Sequence, residues 1–320
     1  MRFRKLGNTG LDISEISFGC GPNAGLMVHG SRDERIKVVA RALELGINYF
    51  DTAPAYGDGL SESNLGEVLH KLQARPVIGT KVVLQSNDLG NIKEAVVRSV
   101  EQSLQRLRLD CVDLIQLHNR IVSKRISEQE KIGISLPLST EEVLGEGGVL
   151  EAFKRLHEQG KVRFWGFTTY GGNPHAIERV INSGGFHTIN TDYHLLNPSS
   201  AMKMPEVFPG PDYGQVIPKA ARMGMGVLVI RALAGGALTG TYKDTLSDTQ
   251  KTEPRVRGLR FLIGEDQTLS QAAVRYVLAN PDVTTVIGGF SGLDHLEEGA
   301  GCSGTQLDQK TLARIAEWHA

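Results

Sequence analysis

Apolar positions along this chain follow two alternating rhythms. Short continuous apolar runs give way to longer stretches in which apolar residues return at three- and four-residue steps. The runs Ile16–Gly19, Asn48–Phe50, Val77–Thr80, Val112–Leu117, Val162–Phe167, Thr188–Asp192, Val227–Ile230 and Val283–Ile287 read as strands. The intervening stretches read as helices: Ser31 or Asp33 to Leu45, Ser61–Lys71, Asn91–Arg106, Gly148–Glu158, Pro174–Asn182, Tyr213–Met223 and Leu269–Ala279, with 293–299 and 308–318 last. Within Asn91–Arg106, Ile92, Ala95, Val96, Val100 and Leu104 form one apolar face. Gly160 and Gly224 stand where helices stop.

A strand followed by a crossover of helical length is joined by a parallel strand. Eight such pairs, with no shift of composition, predict an α/β fold: a single (β/α)8 barrel over residues 1–320, ending in a C-terminal helix. Arg2–Leu6 and Leu11–Ile13, around the turn Gly7-Asn8-Thr9-Gly10, predict an N-terminal hairpin placed to plug the barrel's bottom. Two stretches break the rhythm. One is a long polar connection at about 119–145, after the fourth strand; the other is a Gly- and Thr-rich loop, Ala234–Thr268. The first has the length of a lid or contact surface, or is a plain surface insertion. A doubly wound sheet is the alternative fold, weakened because no Gly-x-Gly-x-x-Gly follows the first strand.

Composition removes several classes of function. A formal net charge of −1, with Lys and Arg scattered as helix charges, argues against nucleic acid or an anionic membrane as partner. No apolar run is long enough to span a bilayer, and the opening Met-Arg-Phe-Arg-Lys-Leu-Gly lacks the apolar core of a secretory signal. Cys20, Cys111 and Cys302 are odd in number, far apart and without metal-ligand spacing. They fit a reducing compartment, and a cytoplasmic location is the expectation.

Four side chains stand at or just beyond the ends of predicted strands: Asp51, Tyr56, Lys81 and His118. A parallel barrel delivers its strand ends to one face, so a carboxylate, a phenol, an ammonium and an imidazole can share one pocket. Reducing a carbonyl needs hydride on carbon and a proton on oxygen. A phenol with a pKa near 10 is a poor donor at neutral pH. Lys81 beside it would lower that value, and Asp51 would hold Lys81. His118 is suited to hydrogen bond the carbonyl oxygen. In the oxidising direction Tyr56 becomes the base. Each residue alone is an ordinary packing feature; their joint placement carries the chemistry.

In combination these motifs resemble the aldo-keto reductase family, its bacterial and channel-β-subunit-like branch more than its mammalian aldose-reductase branch. The resemblance covers almost the whole chain. It runs through Arg4-Lys5-Leu6-Gly7-Asn8-Thr9-Gly10-Leu11, Ile47-Asn48-Tyr49-Phe50-Asp51-Thr52-Ala53, Tyr56-Gly57, Ser63, Leu65-Gly66 and Lys81. It continues through Asp110-Cys111-Val112-Asp113-Leu114 to His118, then Gly160-Lys161-Val162-Arg163 and Leu238-Thr239-Gly240. It implies an NAD(P)-dependent oxidoreductase acting on a small carbonyl, alcohol or sugar, with Asp51, Tyr56, Lys81 and His118 as its catalytic set. A second reading it implies is a nucleotide-binding, redox-sensing accessory subunit with little turnover.

The resemblance also places an extended NADP or NAD across the strand ends. Thr168 and Thr169 stand where the family commonly has Ser-Asn, and Asn190 where Gln is frequent. Ile230 replaces an aromatic, and Arg231 a Ser, in reach of the pyrophosphate or the substrate. Leu233, Gly235, Gly236 and Leu238 lie on a segment whose backbone suits phosphates. Gly289, Phe290, Ser291, His295 and Glu298 match the last binding segment, with Ser291 for a phosphate and Glu298 for the adenine amino group. NADPH-specific members carry Lys or Arg there. None stands across Gly289–His295, so both cofactors are expected to be usable, with the preference open. The expected pocket walls are Cys20, Pro22, Asn23, Val83, Leu84, Asn119 and the 119–145 connection. The sequence leaves the oligomeric state open.

Overall fold

A computed structural model describes residues 1–125, 136–239 and 249–319, with the backbone alone for 249–253. Residues 126–135 of the predicted connection and 240–248 of the Gly- and Thr-rich loop, Gly240 among them, lie outside the described residues. The strands in chain order are β1 (Phe3–Lys5), β2 (Asp12–Ser14), β3 (Ile16–Gly19), β4 (Tyr49–Asp51), β5 (Val77–Val82) and β6 (Val112–Leu117). They continue with β7 (Ile121–Val122), β8 (Leu138–Ser139), β9 (Val162–Thr168), β10 (Thr188–Asp192), β11 (Gly226–Ile230) and β12 (Thr285–Gly289). Eight of them close into a parallel barrel in the order β10-β11-β12-β3-β4-β5-β6-β9, the (β/α)8 architecture that the alternation predicts.

The helices are α1 (Leu26–His29), α2 (Arg32–Glu44), α3 (Leu60–Leu72), α4 (Ile92–Leu107), α5 (Thr140–Leu144) and α6 (Val149–Glu158). Then come α7 (Pro174–Asn182), α8 (Val216–Arg222), α9 (Thr249–Gly258), α10 (Leu269–Ala279), α11 (Leu293–Ala300) and α12 (Gln309–His319). Their starts follow local chemistry. Ser31 caps α2 in a reciprocal box with Glu34, and Thr268 caps α10 with Gln271. Asn173 caps α7, with Pro174 in its first turn. In α4, Ile92, Ala95, Val96, Val100 and Leu104 are buried against the barrel. No helix among the described residues is long and apolar enough to cross a membrane.

Apolar side chains form two cores. The large one lies between strands and helices. The small one fills the lower lumen with Leu6, Ile13, Tyr49, Leu114 and Leu228, packed by Phe164, Val77 and Ile287. Leu6 and Ile13 come from the N-terminal hairpin, which therefore stoppers the bottom. The plug sits close: Asn8 N–H donates to Gly224 O at 2.8 Å. A Cβ on Gly226 would lie 2.5 Å from Leu6, so this approach requires glycine.

Four sequence readings change. The eighth strand is Thr285–Gly289, not Val283–Ile287, because pairing with β3 carries on through Gly288↔Phe18 and Gly289↔Gly19. The helix read over Tyr213–Met223 is only Val216–Arg222, since Gly214 and Gln215 have positive φ and Tyr213 N–H is tied to Ser199. The stretch Ala234–Thr268 contains α9. The connection at 119–145 is structured at both ends: β7 and β8 pair in parallel, α5 follows at once, and Leu136 and Leu138 are fully buried.

Candidate active site at the barrel mouth

Alternate strand residues face opposite sides of a sheet. The lumen cluster therefore fixes which polar groups point inward. Two residues beyond Tyr49 comes Asp51; four beyond Val77, Lys81; two beyond Leu114, Gln116; four beyond Phe164, Thr168. Asn190 pairs in register with the lumen residue Leu228, so Asn190 and, two steps on, Asp192 face inward from β10.

On one side of the mouth stands a buried ionic network. Lys81 Nζ pairs with Asp51 Oδ1, the two side chains 2% and 3% exposed. The same ammonium donates to Thr52 O at 2.7 Å and to the Tyr56 hydroxyl at 3.2 Å. Asp51 Oδ2 accepts from Tyr49 Oη at 3.1 Å and Gln116 Nε2 at 3.3 Å. A Cβ on Gly79 would collide with Tyr49 Oη, so glycine makes room for that hydroxyl. His118 lies just past β6 with its ring edge-on to Tyr56, centroids 6.0 Å apart, and its buried Nδ1 has no hydrogen-bond partner among the described residues. The structure thus brings Asp51, Tyr56, Lys81 and His118 together. Tyr49 and Gln116, which hold Asp51, are absent from the set read in sequence; their signal is the alternation on β4 and β6.

The charges follow. Burial alone would pull Lys81 down, but the charge and hydrogen bond of Asp51, with Tyr56, outweigh it and hold the ammonium above its usual range. Burial raises Tyr56; the charge and hydrogen bond of Lys81 oppose this without reversing it. The expected lowering of Tyr56 by Lys81 is therefore present in sign but smaller than desolvation. Burial, with the Lys81 charge, lowers His118 to about 3, so its imidazole is neutral at pH 7. Burial also pushes Asp192 up to about 6, partly offset by Arg231.

Neutral buried histidines predict acid lability. Burial, helped by nearby cations, lowers His194 and His319 to about 4 as well. An unfolded imidazole titrates near 6.5. As pH falls below that value the unfolded chain takes up these protons first, so the stability present above about 6.5 is lost progressively toward 4. Asp192, raised in the fold, acts in the opposite direction on a smaller number of groups. Thermal unfolding followed from pH 7 to pH 4 should show a falling midpoint, and one that stays level would contradict the assignment of neutral His118, His194 and His319.

The cofactor positions divide into three groups. Thr168 Oγ1 and both amide atoms of Asn190 are buried at the lumen with no hydrogen-bond partner among the described residues. These orphaned donors and acceptors fit a nicotinamide carboxamide. Thr169 is already engaged, donating to Thr191 at 2.8 Å. Gly235 has φ +69 and Gly236 φ +102, with open space where each Cβ would be, so their backbone is accessible to a phosphate; Leu238 is fully buried and Leu233 partly so. At the last segment Gly289 is exposed, Ser291 Oγ lies 2.6 Å from His295 Nδ1, and Glu298 accepts from Thr268 Oγ1 at 2.6 Å.

Two further positions have contacts within the protein. Phe290 is turned into the core, 4% exposed with its ring 5.3 Å from that of Phe18. Arg231 is exposed, stacked 4.4 Å over the Tyr170 ring, with Nε 3.6 Å from Asp192 Oδ1. Among the expected walls, Cys20 and Leu84 are buried. Asn119 is buried too, bonded to Leu84 N–H, Leu84 O and Leu136 O, so it pins the connection to β5 instead of lining a pocket.

A closed parallel barrel with this mouth has a match across its length: the family described as Aldo/keto reductase family matches residues 15–320, and the chain belongs to that family. L-galactose dehydrogenase of Arabidopsis thaliana is 26% identical over 98% of this chain and 93% of its own length. A putative voltage-gated potassium channel subunit beta of Schizosaccharomyces pombe is also 26% identical, over 92% of this chain and 86% of its own. Among solved structures, the holo form of aldo-keto reductase AKR11C1 from Bacillus halodurans superposes with a TM-score of 0.73 at 25% identity, covering 100% of this chain and 97% of that one. The family carries out NAD(P)-dependent oxidoreduction of carbonyl compounds.

Proposed function

We propose that this chain reduces small aldehydes or ketones, or oxidises the corresponding alcohols or sugars, with Tyr56 as the proton-transfer group. The observation that carries the reading is Lys81 Nζ, bonded at once to Asp51, Thr52 O and the Tyr56 hydroxyl inside the lumen. When bound, the nicotinamide supplies or accepts hydride at the carbonyl carbon. The chain does the rest. Thr168 and Asn190 orient the carboxamide. Neutral His118 fixes the carbonyl oxygen by a hydrogen bond, because an imidazole that stays neutral can donate without competing for the proton. Tyr56 passes its proton to that oxygen, and Lys81, fixed by Asp51, stabilises the phenolate left behind. In the oxidative direction the phenolate takes the proton back.

The accessory-subunit reading is supported by the similarity to the channel subunit beta and by the same nucleotide-fitting groups. A screen of aldehydes, sugars and alcohols with both cofactors separates the two. Nicotinamide turnover on any of them supports the enzyme, whereas tight nucleotide binding with no turnover supports the subunit.

Cofactor choice follows from the mouth's rim. No Lys or Arg stands across Gly289–His295, and the guanidinium of Arg255 lies 5.1 Å from the Phe208 ring centroid and 5.2 Å from that of Trp318. NADH and NADPH should therefore bind within about tenfold of one another, a gap of roughly 1.4 kcal/mol. Dissociation constants from fluorescence titration check this; an NADPH preference beyond about a hundredfold, lost in Arg255→Ala or in Arg257→Ala, would assign a clamp to the arginine concerned.

A further inference from the structure

We propose that Asp192 is the acceptor for substrate hydroxyl groups, so that the carbonyl compound selected by this barrel is polyhydroxylated, of the sugar-aldehyde class. The inference rests on the oxidoreductase reading above. Asp192 ends β10 and is 1% exposed, yet among the described residues neither of its carboxylate oxygens has a hydrogen-bond partner. Buried polar groups are almost always paired, and a carboxylate left without donors is costly, so the two oxygens ask for a ligand. Arg231 balances the charge without satisfying it: its Nε stays 3.6 Å from Oδ1, beyond a hydrogen bond, and its guanidinium is stacked on Tyr170.

Position selects the ligand. Asp192 faces the lumen one pleat beyond Asn190, toward the mouth. In the ring of eight strands β10 stands directly opposite β4, which carries Asp51. A compound whose carbonyl lies between Tyr56 and His118 and whose other end runs across the mouth meets Asp192 on the far side. An ionised carboxylate accepts and never donates, so that end must bring hydroxyl or amine hydrogens. A plain alkyl aldehyde brings none.

The test compares two four-carbon aldehydes, an aldotetrose and butanal, in the wild type, Asp192→Asn and Asp192→Leu, with cofactor dissociation constants measured beside the rates. The ratio of kcat/KM for the tetrose to that for butanal should fall about 10- to 100-fold in Asp192→Leu and less in Asp192→Asn, which keeps one acceptor. Cofactor dissociation constants should stay within about threefold. Butanal turnover serves as the check that each variant is folded. An unchanged ratio overturns the inference while the oxidoreductase reading survives. A common loss on both aldehydes, matched by weaker cofactor binding, also overturns it, by showing that Asp192 accepts from the cofactor ribose. A wild type that turns over neither compound nor any other carbonyl removes the oxidoreductase reading itself.

Discussion

Tyr56→Phe lowers kcat by about 10²–10⁴-fold on every substrate the protein accepts, while the cofactor dissociation constant stays within about twofold of wild type. The change deletes one oxygen. It leaves the ring against Gly21 and His118 and keeps the Lys81–Asp51 pair. His118 is no substitute donor, because burial and the Lys81 charge hold its pKa at about 3 and its imidazole neutral. Single-turnover rates with saturating cofactor measure the loss. Retention of more than about a tenth of the activity would move proton transfer to another group.

Lys81→Met should be as damaging to rate, and it separates two effects that a single variant confounds. Removing the ammonium leaves Asp51 buried and unpaired, which costs about 3–5 kcal/mol of stability. Asp51→Asn/Lys81→Met removes both charges, and the amide oxygen then at position 51 can still accept from Tyr49 and Gln116, the two donors that Asp51 holds. The double variant should regain most of the lost stability and none of the lost rate. Denaturant unfolding and turnover, measured on all three proteins, give the comparison. If activity returned together with stability, the pair would be a structural brace and Tyr56 would act without it.

The barrel is legible in sequence because its signal is local and repeated. Each strand is a short apolar run and each crossover a helical stripe, so Ile92, Ala95 and Val96 declare α4 with no knowledge of what they touch. The ionic network is legible for a related reason: strand ends converge in any parallel barrel, so Asp51, Lys81 and His118 meet once β4, β5 and β6 are drawn. What stays hidden depends on contacts far apart in sequence. β7 and β8 are too short to carry a period, and their register, Ile121↔Leu138, spans the connection between them. α9 contains Pro254, which reads as a helix breaker when its surroundings are unknown. The packing of Phe290 on Phe18 joins residues from opposite ends of the chain and has no local signal. Asp192 reads as the plain end of a strand, because the lack of partners among the described residues is visible only once the strands are closed into a barrel.

The stoppered end of the barrel has a consequence for how the chain is made. Leu6 and Ile13 are synthesised before the surface they rest on, which is built from Leu114, Leu228 and Gly226. At translation rates of about 5–20 residues per second, the hairpin waits on the order of tens of seconds for β11 to be synthesised. During that interval its apolar side chains have no docking site of their own. The stopper is made before its seat, so a nascent chain arrested before β11 leaves Leu6 and Ile13 without Leu228 and Gly226 and exposes apolar surface of the kind that chaperones hold.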